Sequence, residues 1–259
     1  MMMADFALYL DDSGHPKDQP YVVVAGYVAS DRNWLAFEFE WRSALNRFSL
    51  ADPFHMTDFM REKYSSFKRD QILSTLAKIT NVHTLHPFVY GVDVAAWKRV
   101  NDEFALEECH GAPYAIAARG VAKEMHEWQA ANMKLGDHLL TFVEEGTLHY
   151  GQMEQIFKRD SIPVPNRVTK STVPVQSCDV LAWEAFNYMR SGSPDRPGKN
   201  LERLARAARL KKATGGIFLE QDLRRICEQT EVMKRDTLKE GDTIRFHSDR
   251  KRVRRRTIK

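Results

Sequence analysis

The chain is poor in cysteine. Cys109, Cys178 and Cys227 are the only three in 259 residues, far apart and in no Cys-x-x-Cys pair. That excludes a disulfide framework or a thiolate zinc site as the organising device, and a reducing, cytoplasmic setting is expected. Long hydrophobic runs are lacking too. The longest, "YVVVAGYVA" at 21–29, falls well short of the roughly 20 apolar residues of a membrane helix, so no membrane partner is expected. "MMMADF" has no basic segment leading into an apolar one, so no signal peptide is expected. No internal repeat is visible. A glycine-rich phosphate loop is missing as well: Gly215-Gly216 lacks both the Lys-Ser/Thr partner and a preceding strand.

What is present is an ordinary globular balance, 43% hydrophobic and 29% charged, which excludes disorder for most of the chain. Charge is unevenly placed. The last eleven residues, "DRKRVRRRTIK", carry +6 of formal charge against +4 for the whole chain, so the remainder sums to −2. A near-neutral body with a basic end can hold nucleic-acid phosphates through counterion release, or the end is a solvated terminus.

The apolar run Phe6–Leu10 has hydrophobic residues on both faces, as a central strand does, and "YVVVAGYVAS" reads as its antiparallel partner. Asp31 is the expected N-cap of a helix whose apolar face is Trp34, Phe37, Trp41, Leu45 and Phe48. The patterns predict further helices over 68–80, 112–133 and 151–160, a helix opening at Pro174 and closing before Gly192, and a last one from Ile217. Strands are expected in "VHTLHPFVYGVDV", "DHLLTFVEEG" and "NRVTKSTV". The interleaving makes the class α/β. We expect one domain over 1–195, a helical extension over 196–248 and a mobile basic tail over 249–259.

Acids gather at the ends of these elements. Asp11 and Asp12 close the first strand, Glu144 and Glu145 a later one, and Asp179 lies three residues after Gln176 on a helix. C-terminal ends of parallel strands cluster at one rim, where such acids can converge. Close carboxylates raise one another's pKa unless a cation neutralises them, and Mg²⁺ or Mn²⁺ is the usual oxygen-loving partner. Two such ions can activate a water and steady the leaving oxygen of a phosphodiester. Pleat alternation lets only one of Asp11 and Asp12 face the cluster easily, and Asp11 is the choice.

His55 suits a proton shuttle or substrate contact with Asp58 as orienting partner, or a turn role after Pro53. Gln176, on the same helix face as Asp179, suits binding substrate or fixing that carboxylate, or a backbone contact near the helix start. Arg203, Arg206 and Arg209 form a stripe that could track a phosphate backbone, or a solvated face. Trp183 is core or cleft wall. Cys178 has no evident base beside it, and His15 has no assigned role.

"LYLDDSG" followed by "YVVVAGYVA" resembles the "YIDESG" opening of a bacterial and phage family, domain-of-unknown-function family 3800. "FHMTDF" is similar to that family's short His-containing segment, and "VPVQSCDVLAWEAF" to its late Gln-Asp helix. The resemblance runs from about residue 5 to about residue 190. It implies a ribonuclease H-like mixed sheet with helices on both faces. It further implies Asp11, Glu144 and Asp179 as metal ligands, with Asp12 in place of the family's usual Glu and Glu145 not separable from Glu144.

The expectation is a divalent-metal-dependent nuclease or related phosphoryl-transfer enzyme on nucleic acid. The alternative is an inactive module of the same fold, with structural acids, or one half of a defence or mobile-element system that needs a partner.

Overall fold

The computed structural model describes residues 5–147, 149–191 and 213–239, with 231–239 by backbone alone. Arg203, Arg206, Arg209 and the basic tail lie outside the described residues.

Strand β1 (Phe6–Ser13) pairs antiparallel with β2 (Tyr21–Ser30), which pairs antiparallel with β3 (His86–Asp93). On the other side of β1, β4 (Leu139–Glu144) runs parallel to it, and β5 (Asn166–Val168) parallel to β4. The sheet order is β5-β4-β1-β2-β3-β6, with β6 (Thr214–Phe218) parallel to β3. Only β2 runs against the rest. This is the expected α/β class: a mixed six-stranded sheet with helices on both faces.

The two faces follow from alternation in β1. Ala7 and Tyr9 point to a core completed by α1 (Asp31–Phe48), α2 (Met56–Arg61), α3 (Ser66–His83) and α8 (Val173–Arg190). Leu8 and Leu10 point to the opposite core, built with α4 (Val94–Phe104), α5 (Leu106–His110), α6 (Pro113–Asn132), α7 (Tyr150–Arg159) and α9 (Glu220–Lys239). No described helix is long and apolar enough to cross a membrane.

The predicted aromatic face of α1 packs as expected. Trp34, Phe37 and Trp41 are buried, with successive ring centroids 5.2 Å apart. The cap differs from expectation: the Ser30 hydroxyl accepts from the Asn33 N–H, and Asp31 is the first helical residue. There its charge complements the helix dipole, which is why an acid at that position imitates a cap signal.

Three helices were not foreseen: α2, α4 and α5. In α4 the reason is local. Asp93 ends β3 and also caps α4 by accepting from the Ala96 N–H, so strand and helix meet with no loop to mark the boundary. The 196–248 segment, expected to be purely helical, supplies edge strand β6 before α9. "TGGIF" carries too little alternation to read as a strand until β3 offers it hydrogen bonds.

One buried acid in α8 stands apart. Glu184 is 3% exposed, and its Oε1 has no hydrogen-bond partner. Burial pushes its pKa from an ordinary 4.5 to about 7. Folding therefore favours the protonated form. The stability this contributes is complete below about pH 4.5 and is lost as pH rises through about 7. We expect Glu184→Gln to remove a pH dependence worth on the order of 3 kcal/mol. Denaturant unfolding at pH 5 and pH 8 checks this; equal pH profiles for mutant and wild type would refute it.

Candidate functional site

β1 is the point where the chain's path across the sheet divides. β2 and β3 lie to one side and β4 and β5 to the other, so the crevice beyond the carboxyl ends of β1 and β4 is the switch point where open α/β sheets bind ligands. The β1–β4 pairing ends at Leu10 opposite Val143, while β1 stays paired with β2 as far as Ser13. Asp11 is thus the first β1 residue past the β4 ladder, and Glu144 the last residue of β4.

Alternation decides which acids meet. Tyr9 and Phe142 stack on the α8 side of the sheet, with centroids 4.9 Å apart. Asp11 and Glu144, each two residues further along, continue on that side. Asp179 joins them from the first half of α8, itself packed across β1 and β2. Asp12 points to the opposite side, where Thr147 and Tyr114 meet it. Glu145 is exposed, and its N–H donates to the Val168 carbonyl at 2.7 Å. Asp11 thus lies on the α8 side of the sheet and Asp12 on the other, and of the two glutamates Glu144 is the half-buried one.

The turn after β1 needs Gly14. Its φ of +91° is in the left-handed region, and a Cβ there would run into the Tyr21 carbonyl oxygen. His15 sits in the turn beyond, with Nδ1 3.4 Å from the carboxylate of exposed Asp18.

The acids perturb one another. Burial pushes Asp11 well above the ordinary carboxylate range, and Asp12, Asp179 and Glu144 push it further, against one opposing hydrogen bond from the Asp12 N–H at 2.8 Å. Asp12 is raised to about 6, by burial first, with hydrogen bonding to Thr147 offsetting part of the shift. Asp179 is raised by burial, while the Met56 N–H, His55 and Lys170 pull it back. The Tyr114 hydroxyl is held well above its ordinary range by burial and then by Asp12 and Asp11.

The "FHMTDF" segment reaches this cluster through Asp179. The Met56 N–H donates to Asp179 Oδ2 at 2.6 Å, and His55 Nε2 lies 3.9 Å from Asp179 Oδ1. His55 Nδ1 lies 3.1 Å from Asp58, the expected orienting partner.

Gln176, one candidate for substrate contact, is 1% exposed and spent on protein groups. Its Oε1 accepts from Trp41 Nε1 at 3.0 Å and from the Phe54 N–H at 3.1 Å, and its Nε2 donates to Asp52 at 3.3 Å. It ties the 52–56 segment to α8. Trp183 is packed against the α1/α8 core. Cys178 is fully buried, its thiol pushed up by burial and 3.1 Å from the Tyr9 carbonyl, as suits a small core residue.

Lys170 was missed in the sequence. It sits in the loop between β5 and α8, with Nζ 3.4 Å from Glu144 Oε1. Nothing in the sequence sets it apart from other loop lysines.

The donor set is all oxygen, which fits a hard dication such as Mg²⁺ or Mn²⁺ better than zinc or copper. As arranged, no group of three or more His, Cys, Asp or Glu among the described residues is gathered tightly enough to hold an ion. The residues fit the group in chemistry and in mutual repulsion, with Glu144 engaged by Lys170.

No protein-family model and no curated protein matches this chain. Among solved structures, it is similar to a chain of the PCNA:RNase HII complex from Archaeoglobus fulgidus, with 13% identity, 98% of each chain covered and a TM-score of 0.34.

Proposed function

We propose that this chain is a divalent-metal-dependent nuclease of the domain-of-unknown-function family 3800 type, cleaving phosphodiester bonds of nucleic acid at the β1/β4 crevice. The observation that carries the reading is Asp11. It is a 9% exposed carboxylate at a topological switch point, surrounded by Asp12, Asp179 and Glu144, each of which raises its pKa. Natural cores rarely keep such a cluster unless a charge neutralises it.

In this reading Asp11, Asp179 and Glu144 hold Mg²⁺ or Mn²⁺. When bound, the ion supplies a water of lowered pKa and positive charge beside the leaving oxygen. The chain's own groups do the rest. His55, 30% exposed and oriented through Nδ1 by Asp58, can carry a proton at Nε2 on the open side of Asp179. The Met56 N–H fixes Asp179 through Oδ2, which leaves Oδ1 on the His55 side. Gln176 keeps the 52–56 segment in place.

A second reading has support of its own. Lys170 on Glu144 already gives the cluster partial neutralisation, as a binding module without turnover would need. One experiment separates the two. Mg²⁺ and Mn²⁺ are titrated into wild type and Asp179→Asn, and each is incubated with RNA, DNA and hybrid substrates. The nuclease reading expects cleavage by wild type that falls about 10³-fold in the mutant, the equivalent of several kcal/mol of lost metal assistance. Metal binding with no cleavage of any substrate favours the binding module, and cleavage that survives Asp179→Asn refutes the assignment of the site.

A further inference from the structure

We infer that Lys170 is a built-in counter-cation that holds the cluster together without metal and yields its place on Glu144 when the divalent ion enters. The inference rests on the metal-site reading above and names the residue that competes with the ion.

The loop carrying Lys170 is held in shape. The Thr172 N–H donates to the Thr169 carbonyl at 2.9 Å, and the Thr169 and Ser171 hydroxyls meet at 2.7 Å. At its base, the Glu145 N–H donates to the Val168 carbonyl at 2.7 Å, tying the loop to the end of β4. The backbone thereby presents Lys170 to the carboxylate rim from a fixed origin.

Its side chain is 39% exposed, against 16% for Glu144. The carboxylate is enclosed while the ammonium approaches from solvent on a flexible four-carbon stem, so the contact can open without unpacking the core.

A dication, with twice the charge and a stronger claim on carboxylate oxygen, takes Glu144 from the ammonium.

The test compares wild type, Lys170→Met and Lys170→Arg, reading Mn²⁺ affinity by calorimetry and thermal unfolding with and without Mn²⁺. The exchange model expects Lys170→Met to bind Mn²⁺ on the order of tenfold more tightly, since a competing charge is gone. It also expects that variant to unfold at lower temperature in chelator, with the deficit closed by saturating Mn²⁺. Lys170→Arg should restore wild-type values for both. A packing role alone would lower the unfolding temperature equally in both conditions and leave Mn²⁺ affinity unchanged, which would overturn the inference while the metal site stands. Failure of folded wild type and Lys170→Met alike to bind Mn²⁺ would overturn the metal reading itself, and the exchange with it.

Discussion

Asp11→Asn is expected to lower metal-dependent cleavage by about 10³-fold, the loss of several kcal/mol of charge stabilisation. The same change should leave the metal-free protein at least as stable as wild type. Asn keeps the Oδ1 that accepts from the Asp12 N–H. It removes a carboxylate raised by burial and by three neighbouring acids. Because that pKa is raised on folding, the wild type loses stability as pH climbs through it, whereas the mutant does not, so the mutant's advantage should grow with pH. A gain of about 2–4 °C in unfolding temperature for each kcal/mol is the scale for a chain of this size. Initial cleavage rates and thermal unfolding in chelator, taken on the same preparation, check both halves. Loss of activity together with a lowered unfolding temperature would mean that Asp11 is a structural acid.

Gln176→Ala should have the largest effect on stability. It removes one oxygen that serves two buried donors, Trp41 Nε1 and the Phe54 N–H. Each orphaned donor costs about 1–3 kcal/mol, so a loss on the order of 3–4 kcal/mol is expected, before the cavity is counted. The damage should reach the site. Phe54 precedes His55 and Met56, and the Met56 N–H fixes Asp179. Gln176→Glu keeps the acceptor but sets a buried carboxylate against Asp52, where Nε2 had donated, so it should recover only a small part of the loss. Denaturant unfolding of the three proteins measures it; a shift under about 1 kcal/mol in Gln176→Ala would show that the 52–56 segment is held by the packing of Phe54 and Met56 alone.

Much of the site was legible because a strand carries its chemistry at fixed parity. The apolar run Phe6–Leu10 leads unbroken into Asp11 and Asp12, so the choice between them reduces to which core each faces. The Asp179 helix was legible from Pro174 at its start. What could not be read depended on partners distant in sequence. Gln176 has the same helical phase whether it meets a ligand or Trp41, and only the fold brings α1 across from it. Glu144 and Glu145 differ only in parity, which the β1–β4 register sets. Lys170 looks like any loop lysine until β5 docks beside β4 and carries it to the rim. β6 was illegible for the same reason, being a glycine-containing segment that is a strand only because β3 has an open edge.

Whether Asp11, Asp179 and Glu144 form one divalent-cation site can be seen in crystals soaked in Mn²⁺, through the anomalous difference map. A peak is expected beyond the carboxyl ends of β1 and β4, with oxygens of Asp11 and Asp179 about 2.1 Å away and Glu144 turned from Lys170 toward the ion. A map with no peak at the cluster, or with Mn²⁺ bound only elsewhere on the surface, would contradict a shared site.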